Sequence, residues 1–405
     1  AAARAAAAAT AEAAATGDKE AIARADAARV EAEKAAAKQK KAEQDAAAAA
    51  AAADAPPEAP LSVLQRRWRK FKTLKRGYYS FRLLLFLYLS SFLLPFLVSD
   101  DAICVRYQGE WSFPVLGGFH RARDFGQDRI GQVDWRDLQE GYFFSGTDDF
   151  VLLPPYAYDP LENLLHESNL KNNPPHAPNP YHILGTDDRG RDVFARLVYG
   201  FRTSITFALG VILLSYILGM SVGACFGYFG GRIDFYGQRI VEIWSGLPFL
   251  YTIIIISSIV KPGMWLLILL LALFRWVGIS FYMRGEFYRE KSKDYVAAAI
   301  AQGESHRSIM FRHILPNGLT PIISFAPFAV VVTISSLVSL DYLGFGLPAP
   351  TPSWGELVNQ GLENITAWHL VFFPLGAMFF TLLLVVFIGE AVREAFDPKV
   401  FSRLR

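Results

Sequence analysis

The stretch Gln65-Arg-Arg-Trp-Arg-Lys-Phe-Lys-Thr-Leu-Lys-Arg76 precedes Phe81-Arg-Leu-Leu-Leu-Phe-Leu-Tyr-Leu-Ser-Ser-Phe-Leu-Leu-Pro-Phe-Leu-Val98. The second segment is long enough to cross the hydrocarbon core of a bilayer as a helix, provided Arg82 lifts its guanidinium toward the interface. The dense basic cluster in front of it places the N-terminal side in the cytoplasm, because Lys and Arg near a first span are retained on that side.

Working outward, further apolar segments fall at about 203–229, 238–260, 264–284, 319–343 and 371–391. With the first they make six, and an even number brings both termini to the cytoplasmic side. The short connection 230–239, the segment 284–313 and the stretch 393–405 all carry basic residues and all come out cytoplasmic, so the charge pattern agrees with itself. The expected fold is therefore an all-α integral membrane protein of six transmembrane helices, with a long periplasmic loop after the first.

Composition supports this reading: of 405 residues 52% are hydrophobic, 14% aromatic and 19% charged. A formal net charge of +2 is too small to argue for nucleic acid as a partner. Two cysteines, Cys104 and Cys225, make a disulfide framework or a zinc site an unsuitable explanation of the fold.

Composition also divides the chain. Residues 1–60 are an Ala-rich tail without the apolar core of a signal peptide, expected to lie unpacked. Residues 61–98 hold the basic segment and first span, and 99–200 an outer loop rich in Pro, Gly, Asp and aromatics, with helical periodicity only near 192–199. Residues 201–392 form a five-helix core, and 393–405 a cytoplasmic tail. His120, His166, His176 and His182 lie in the outer loop without ligand spacing and read as solvated surface residues. A loop of this length is expected to be functional, as a landing surface for a partner.

One connection departs from a simple turn. Residues 285–318 contain Tyr295-Val-Ala-Ala-Ala-Ile-Ala-Gln-Gly303, then Glu-Ser-His-Arg-Ser-Ile-Met-Phe-Arg-His-Ile-Leu-Pro316. Ala297, Ala298, Ala299 and Ala301 favour helix and keep its surface low, Gly303 permits a tight break between two short helices, and Ser305 can cap the second. Pro316 suits the entry to the next span. A short helix of small residues facing the cytoplasm can lie closely against a soluble partner; an ordinary surface helix has the same spacing.

The residues resolve that choice through a resemblance. Ala298, Ala299, Gly303, Leu315 and Pro316 match the EAA loop of ATP-binding-cassette importer permeases, with Ala297 standing where Glu is typical and His313 where Ile is typical. The segments 184–202, 311–317 and 341–347 look like those of permeases of the dipeptide, oligopeptide and nickel group. Segments 227–248 and 388–398, with the long outer loop, resemble the YejE-type branch. The resemblance covers roughly residues 75–400. It implies the type I importer permease fold and uptake of peptides, in some bacteria of the peptide-nucleotide antibiotic microcin C. It also implies a second, YejB-like permease subunit, two ATP-binding subunits or one fused ATPase that bind ATP and Mg, and a periplasmic peptide-binding protein. The ATPase would dock on Ala297, Ala298, Ala299, Gly303, His313, Leu315 and Pro316.

The chain has no Gly-Lys pair and hence no phosphate loop of its own, so ATP chemistry is expected on a partner and the chain is expected not to be an enzyme. Three further positions bear on a substrate path. Ser245 and Pro248 flank a break in the third span, readable as a hinge, a cavity wall or a packing kink. Arg275 lies near the bilayer midplane, where a cation should face the pore, meeting an anionic substrate group, or pair with a carboxylate elsewhere. The stripe Gly219, Gly223 and Gly227 reads as close helix packing. The rival classes are a dipeptide or nickel permease of the same group, and an ion-coupled secondary transporter, which should carry intramembrane acidic residues or internal repeats.

Overall fold

The computed structural model describes residues 63–145, 148–165, 173–261 and 263–396. The chain divides into two compact units, 1–66 and 67–405, and every apolar crossing found among the described residues lies in the second. The Ala-rich tail, His166 and residues 397–405 lie outside the described residues.

Two helices open the described chain, α1 (Val63–Thr73) and α2 (Lys75–Ser90), the second running through a 3-10 turn (Ser91–Leu93) into α3 (Leu94–Leu97). After the outer loop come α5 (Val193–Phe229), α6 (Gly231–Ser245), α7 (Phe249–Ile259) and α8 (Met264–Lys291). Lys75–Leu97, α5 and α8 are each long and apolar enough to cross a membrane, as are the helical rod His306–Tyr342 and the last helix, His369–Phe396. The pair α6 and α7, bent by 68°, makes a sixth crossing if counted as one.

The packing of α5 against α8 decides that count. A Cβ on Gly219 would lie 2.6 Å from the Trp276 carbonyl oxygen, one on Gly223 2.3 Å from that of Ser280, and one on Gly227 2.6 Å from that of Arg284. Both numberings rise together, so the two helices run parallel, and only glycine permits so close an approach. Two consecutive parallel helices require the chain between them to return across the bundle. The bent pair α6–α7 is that return, and the expected six crossings follow. The glycine stripe is a packing seam.

The ends of the bundle sort consistently. One end gathers the start of α2, the α5–α6 turn, residues 284–318 and the end of the last helix: Gly77 meets Ala391, where an added Cβ would come within 2.1 Å of the Ala391 Cβ, and Lys70 Nζ donates to the Glu394 carbonyl at 3.1 Å. This is the basic end. The opposite, loop end holds the start of α5, residues 341–369 and the outer loop.

Several boundaries move from the sequence reading. α5 begins at Val193 and not near 203, α8 continues to Lys291, and the fifth crossing is helical from His306. Charged and polar residues at helix ends conceal helix that projects beyond the apolar run: α5, at 37 residues, is about 55 Å long against a core of about 30 Å.

The outer loop also departs from expectation. It contains α4 (Trp135–Ser145) and a three-stranded antiparallel sheet in the order β2-β1-β3, with β1 Cys104–Tyr107, β2 Glu110–Ser112 and β3 Phe150–Leu152. The membrane part is all-helical as read, while the loop adds sheet. Ala102, Val105, Val133, Trp135, Leu138 and Val151 form the loop's own small core.

Candidate functional site

At the basic end the connection between the fourth and fifth crossings is compact. Helix α9 (Asp294–Ala301) is amphipathic in a simple way: Val296 and Ala299 are buried against Ile309 and Ile314, while Ala297, Ala298 and Ala301 face outward and Ile300 is 52% exposed. Gly303 ends it at φ +77°, with Gly303 N donating to the Ile300 carbonyl at 3.0 Å and Glu304 N to that of Ala299 at 3.2 Å. This paired closure is the Schellman arrangement, which a residue with a side chain adopts only at a cost. No neighbour lies within 4 Å of an added Cβ at position 303, so the space beside it is open.

Ser305 caps the next helix, accepting from Ser308 N at 3.3 Å. That second helix is not short: α10 (His306–Ser308) leads through a π-helical turn (Ile309–Ile314) into α11 (Leu315–Tyr342) without a break. Pro316 therefore sits inside a continuous rod, in the first turn of α11. Asn317 Nδ2 donates to the His313 carbonyl at 3.0 Å, occupying an acceptor near the irregular turn.

Two clamps hold this element. His313 Nε2 lies 3.0 Å from Glu304 Oε2, and Ser308 Oγ donates to the same oxygen at 2.5 Å. The Ser308 hydroxyl, with His313, holds the Glu304 carboxyl below its usual range. Below α9, buried Glu290 accepts from Tyr295 Oη at 2.8 Å and from Lys293 Nζ at 2.7 Å, and Tyr228 Oη lies 2.7 Å from His306 Nδ1. Burial, then the Glu290 hydrogen bond, pushes the Tyr295 phenol up to about 12. The result is a fixed scaffold presenting a face of small side chains, flanked by exposed Phe311 and Arg312. Of the residues singled out in the sequence, Ala297, Ala298, Gly303 and Pro316 are exposed, His313 and Leu315 half-buried, and Ala299 packs inward.

Inside the bundle, the break of the third crossing lies at the level of Arg275. Trp244 Nε1 donates to the Leu273 carbonyl at 2.6 Å, and the Phe249 ring sits 5.3 Å from that of Phe274. Ser245, bonded to the Val241 carbonyl at 2.7 Å, and Pro248, which precedes α7, are both exposed. Arg275 reaches the other way, toward α11: one Nη donates to Ser336 Oγ at 2.8 Å and to the Val332 carbonyl at 3.3 Å. No carboxylate among the described residues pairs with it.

The loop end is built differently. Asp187 accepts from the backbone of Arg189 and Arg191 at 2.9 Å each, and from Arg191 Nε at 2.7 Å. Arg191 and fully buried Arg196 both reach Glu356 on α12 (Trp354–Glu363). Asp192 caps α5 through Ala195 N at 2.8 Å and accepts from Tyr156 Oη at 2.6 Å. His182, expected at the surface, is fully buried with Nδ1 3.0 Å from Asp192: a side chain that caps a buried helix start carries its partner inside with it. Asp341 accepts from Leu347 N at 2.7 Å and from Ser353. His306, His313 and His369 lie within the long helical rods, near their ends.

Residues 198–402 match the family described as the binding-protein-dependent transport system inner membrane component. The chain belongs to this family of importer permeases. Its members are transport components, and membership with the apolar crossings makes this a multi-pass protein of the inner membrane. The chain is 40% identical over 340 residues to the inner membrane ABC transporter permease protein YejE of Escherichia coli, covering 83% of this chain and 97% of that one. It is 38% identical over 353 residues to the peptidoglycan transport system permease protein YejE of Agrobacterium fabrum, covering 83% and 93%. With the dipeptide transport system permease protein DppC of Bacillus subtilis it shares 36% over 227 residues, 55% of this chain and 70% of that one. The family implies a partner permease, ATPase subunits and a binding protein in general.

Proposed function

We propose that this chain is one permease subunit of an ATP-driven importer of peptides or peptide-bearing conjugates, pairing with a second, YejB-like permease. The substrate class rests on the relatives, one named for dipeptide and another for peptidoglycan transport. The observation that carries the mechanism is the exposed face of Ala297, Ala298 and Ala301 on a helix fixed by the Gly303 closure.

In this reading the basic end faces the cytoplasm, in keeping with the charge bias. An ATPase subunit seats on α9, and small side chains let its surface approach the helix backbone. The clamps at Glu304 and Glu290 pass movement of α9 to the rods α8 and α11, since an element held by several short hydrogen bonds moves with its supports. The loop end, facing the periplasm, receives the binding protein. Arg275, whose remaining guanidinium donors have no partner in this chain among the described residues, meets an anionic group of the substrate near mid-membrane, beside the bend at Ser245 and Pro248.

The test is uptake of a labelled peptide into proteoliposomes holding this chain, its partner permease and their ATPases. Wild type should take up peptide only with ATP, and Gly303→Arg should abolish uptake while the chain remains folded. Uptake indifferent to ATP would replace this reading with an ion-coupled transporter.

A further inference from the structure

A cavity of about 280 Å³ opens where the first, second and last crossings meet near the loop end. Leu87, Leu94, Val198, Phe201, Ala377 and Phe380 supply most of its wall, and Trp354 its floor. Its lining is almost wholly apolar. The pocket is open on one side, and an apolar surface of this kind favours hydrocarbon over water. The break of the first crossing into a 3-10 turn at Ser91–Leu93 leaves Ser90 and Ser91 on its rim, and Leu97 and Phe380 at its mouth are 44% and 48% exposed.

A cation stands at the same level. Arg202 Nη1 donates to the carbonyl of Ser91 at 3.3 Å, and its guanidinium lies 4.8 Å from the Tyr199 ring. No carboxylate among the described residues pairs with it. Arg202 is nine residues into α5, about 14 Å from the helix start, and immediately precedes the apolar run that begins at about residue 203, so the guanidinium falls at the edge of the bilayer core, at the headgroup level.

We propose that this cavity is a phospholipid site: an acyl chain occupies the apolar pocket, and the phosphate of an anionic lipid engages Arg202. The apolar wall matches the chain, the cation matches the headgroup, and their positions match the two zones of one lipid. The site is separate from the path assigned to the substrate and does not depend on which molecule is imported.

The experiment uses the assembled complex in vesicles of phosphatidylethanolamine with a trace of phosphatidylglycerol bearing a diazirine on its acyl chain. After illumination, adducts should concentrate in residues 87–97 and 377–381. Arg202→Gln should lower them about fivefold, the effect of losing one cation at a lipid surface. Ala377→Leu, which occupies the pocket without touching the cation, should lower them as well, and adducts at the outward-facing Phe86 and Leu213 should be unchanged in both. A diazirine phosphatidylcholine, whose choline cation offsets its phosphate, should label the pocket less and fall less with Arg202→Gln. Labelling of the pocket no stronger than at Phe86 and Leu213, labelling unmoved by both variants, or occupation of the pocket by a segment of the partner permease would each overturn the proposal.

Discussion

The two ends of the bundle handle polar groups in opposite ways. At the loop end, Asp187, Arg191, Arg196 and Glu356 turn their charges on one another beneath the outer loop, and Asp192 is held between Tyr156 and His182. At the basic end the clamps lie underneath, and what faces outward is a low surface of alanine beside a glycine with open space around it. A network that spends its charges internally has little left for a partner, so the first arrangement serves the fold. The second, rigid below and featureless above, serves contact.

The largest effect should come from the loop end. Glu356→Ala leaves Arg191 and Arg196 with Asp187 as the one carboxylate they share; removing a partner from such a buried network costs about 3 kcal/mol, the low end for a broken buried pair, and lowers Tm by several degrees. A thermal scan of the purified chain measures it. A small shift would mean the network is dispensable and the contrast between the ends is overdrawn.

Arg275→Gln should sharpen the contrast from within the membrane. It removes a cation with two neutral acceptors and no carboxylate among the described residues, so the melting temperature should hardly move while peptide uptake falls severalfold. Unfolding together with lost uptake would make Arg275 structural.

A third prediction concerns pH at the loop end. Burial, then the nearby Glu162 and Asp101 carboxylates, pushes the Asp100 carboxyl up to about 7, and burial raises Asp159 to about 6. A carboxyl whose folded pKa lies above its unfolded value of about 3.9 favours the fold at low pH, and that contribution is lost as pH rises through the folded value. The outer loop should therefore gain stability as pH falls from 7 toward 4. Asp100→Asn should stabilise it at pH 7.5 and flatten the slope, as read by hydrogen exchange of residues 99–160.

The smallest effect should be that of Gly303→Asn. Asn tolerates positive φ at a cost of about 1 kcal/mol or less, and no neighbour crowds it, so both stability and uptake should stay near wild type. Loss of uptake in this variant would mean that backbone strain, and not surface shape, explains the arginine variant.

Much of this architecture is legible in the sequence. Six apolar runs with basic connections carry the crossings, and alanines ending in Gly303 carry the capped helix, because periodicity and backbone freedom are local properties. The bend at Ser245–Pro248 is equally local. The latch at the loop end is not legible in the same way, although Asp192 before an apolar run is a helix-start signal. Tyr156 and Glu356 lie far away in sequence, and His182, ten residues before Asp192, stands in a loop without periodicity that would turn it inward. The sheet of the outer loop escapes because its strands are three or four residues long, too short to show alternation. The inward turn of Ala299 follows from spacing with Val296, but which face of α9 is buried depends on Ile309 and Ile314 across the Gly303 turn.

The most direct test of the central claim is cross-linking of the assembled complex. In a chain with Cys104→Ser and Cys225→Ser, a single Ala298→Cys on the exposed face of α9 should form an adduct with an ATPase subunit, and Ile365→Cys at the loop end should not. An ATPase adduct at 298 alone is the predicted result. No adduct at 298, or one of equal yield at 365, would contradict the assignment of the basic end as the surface on which the ATPase docks.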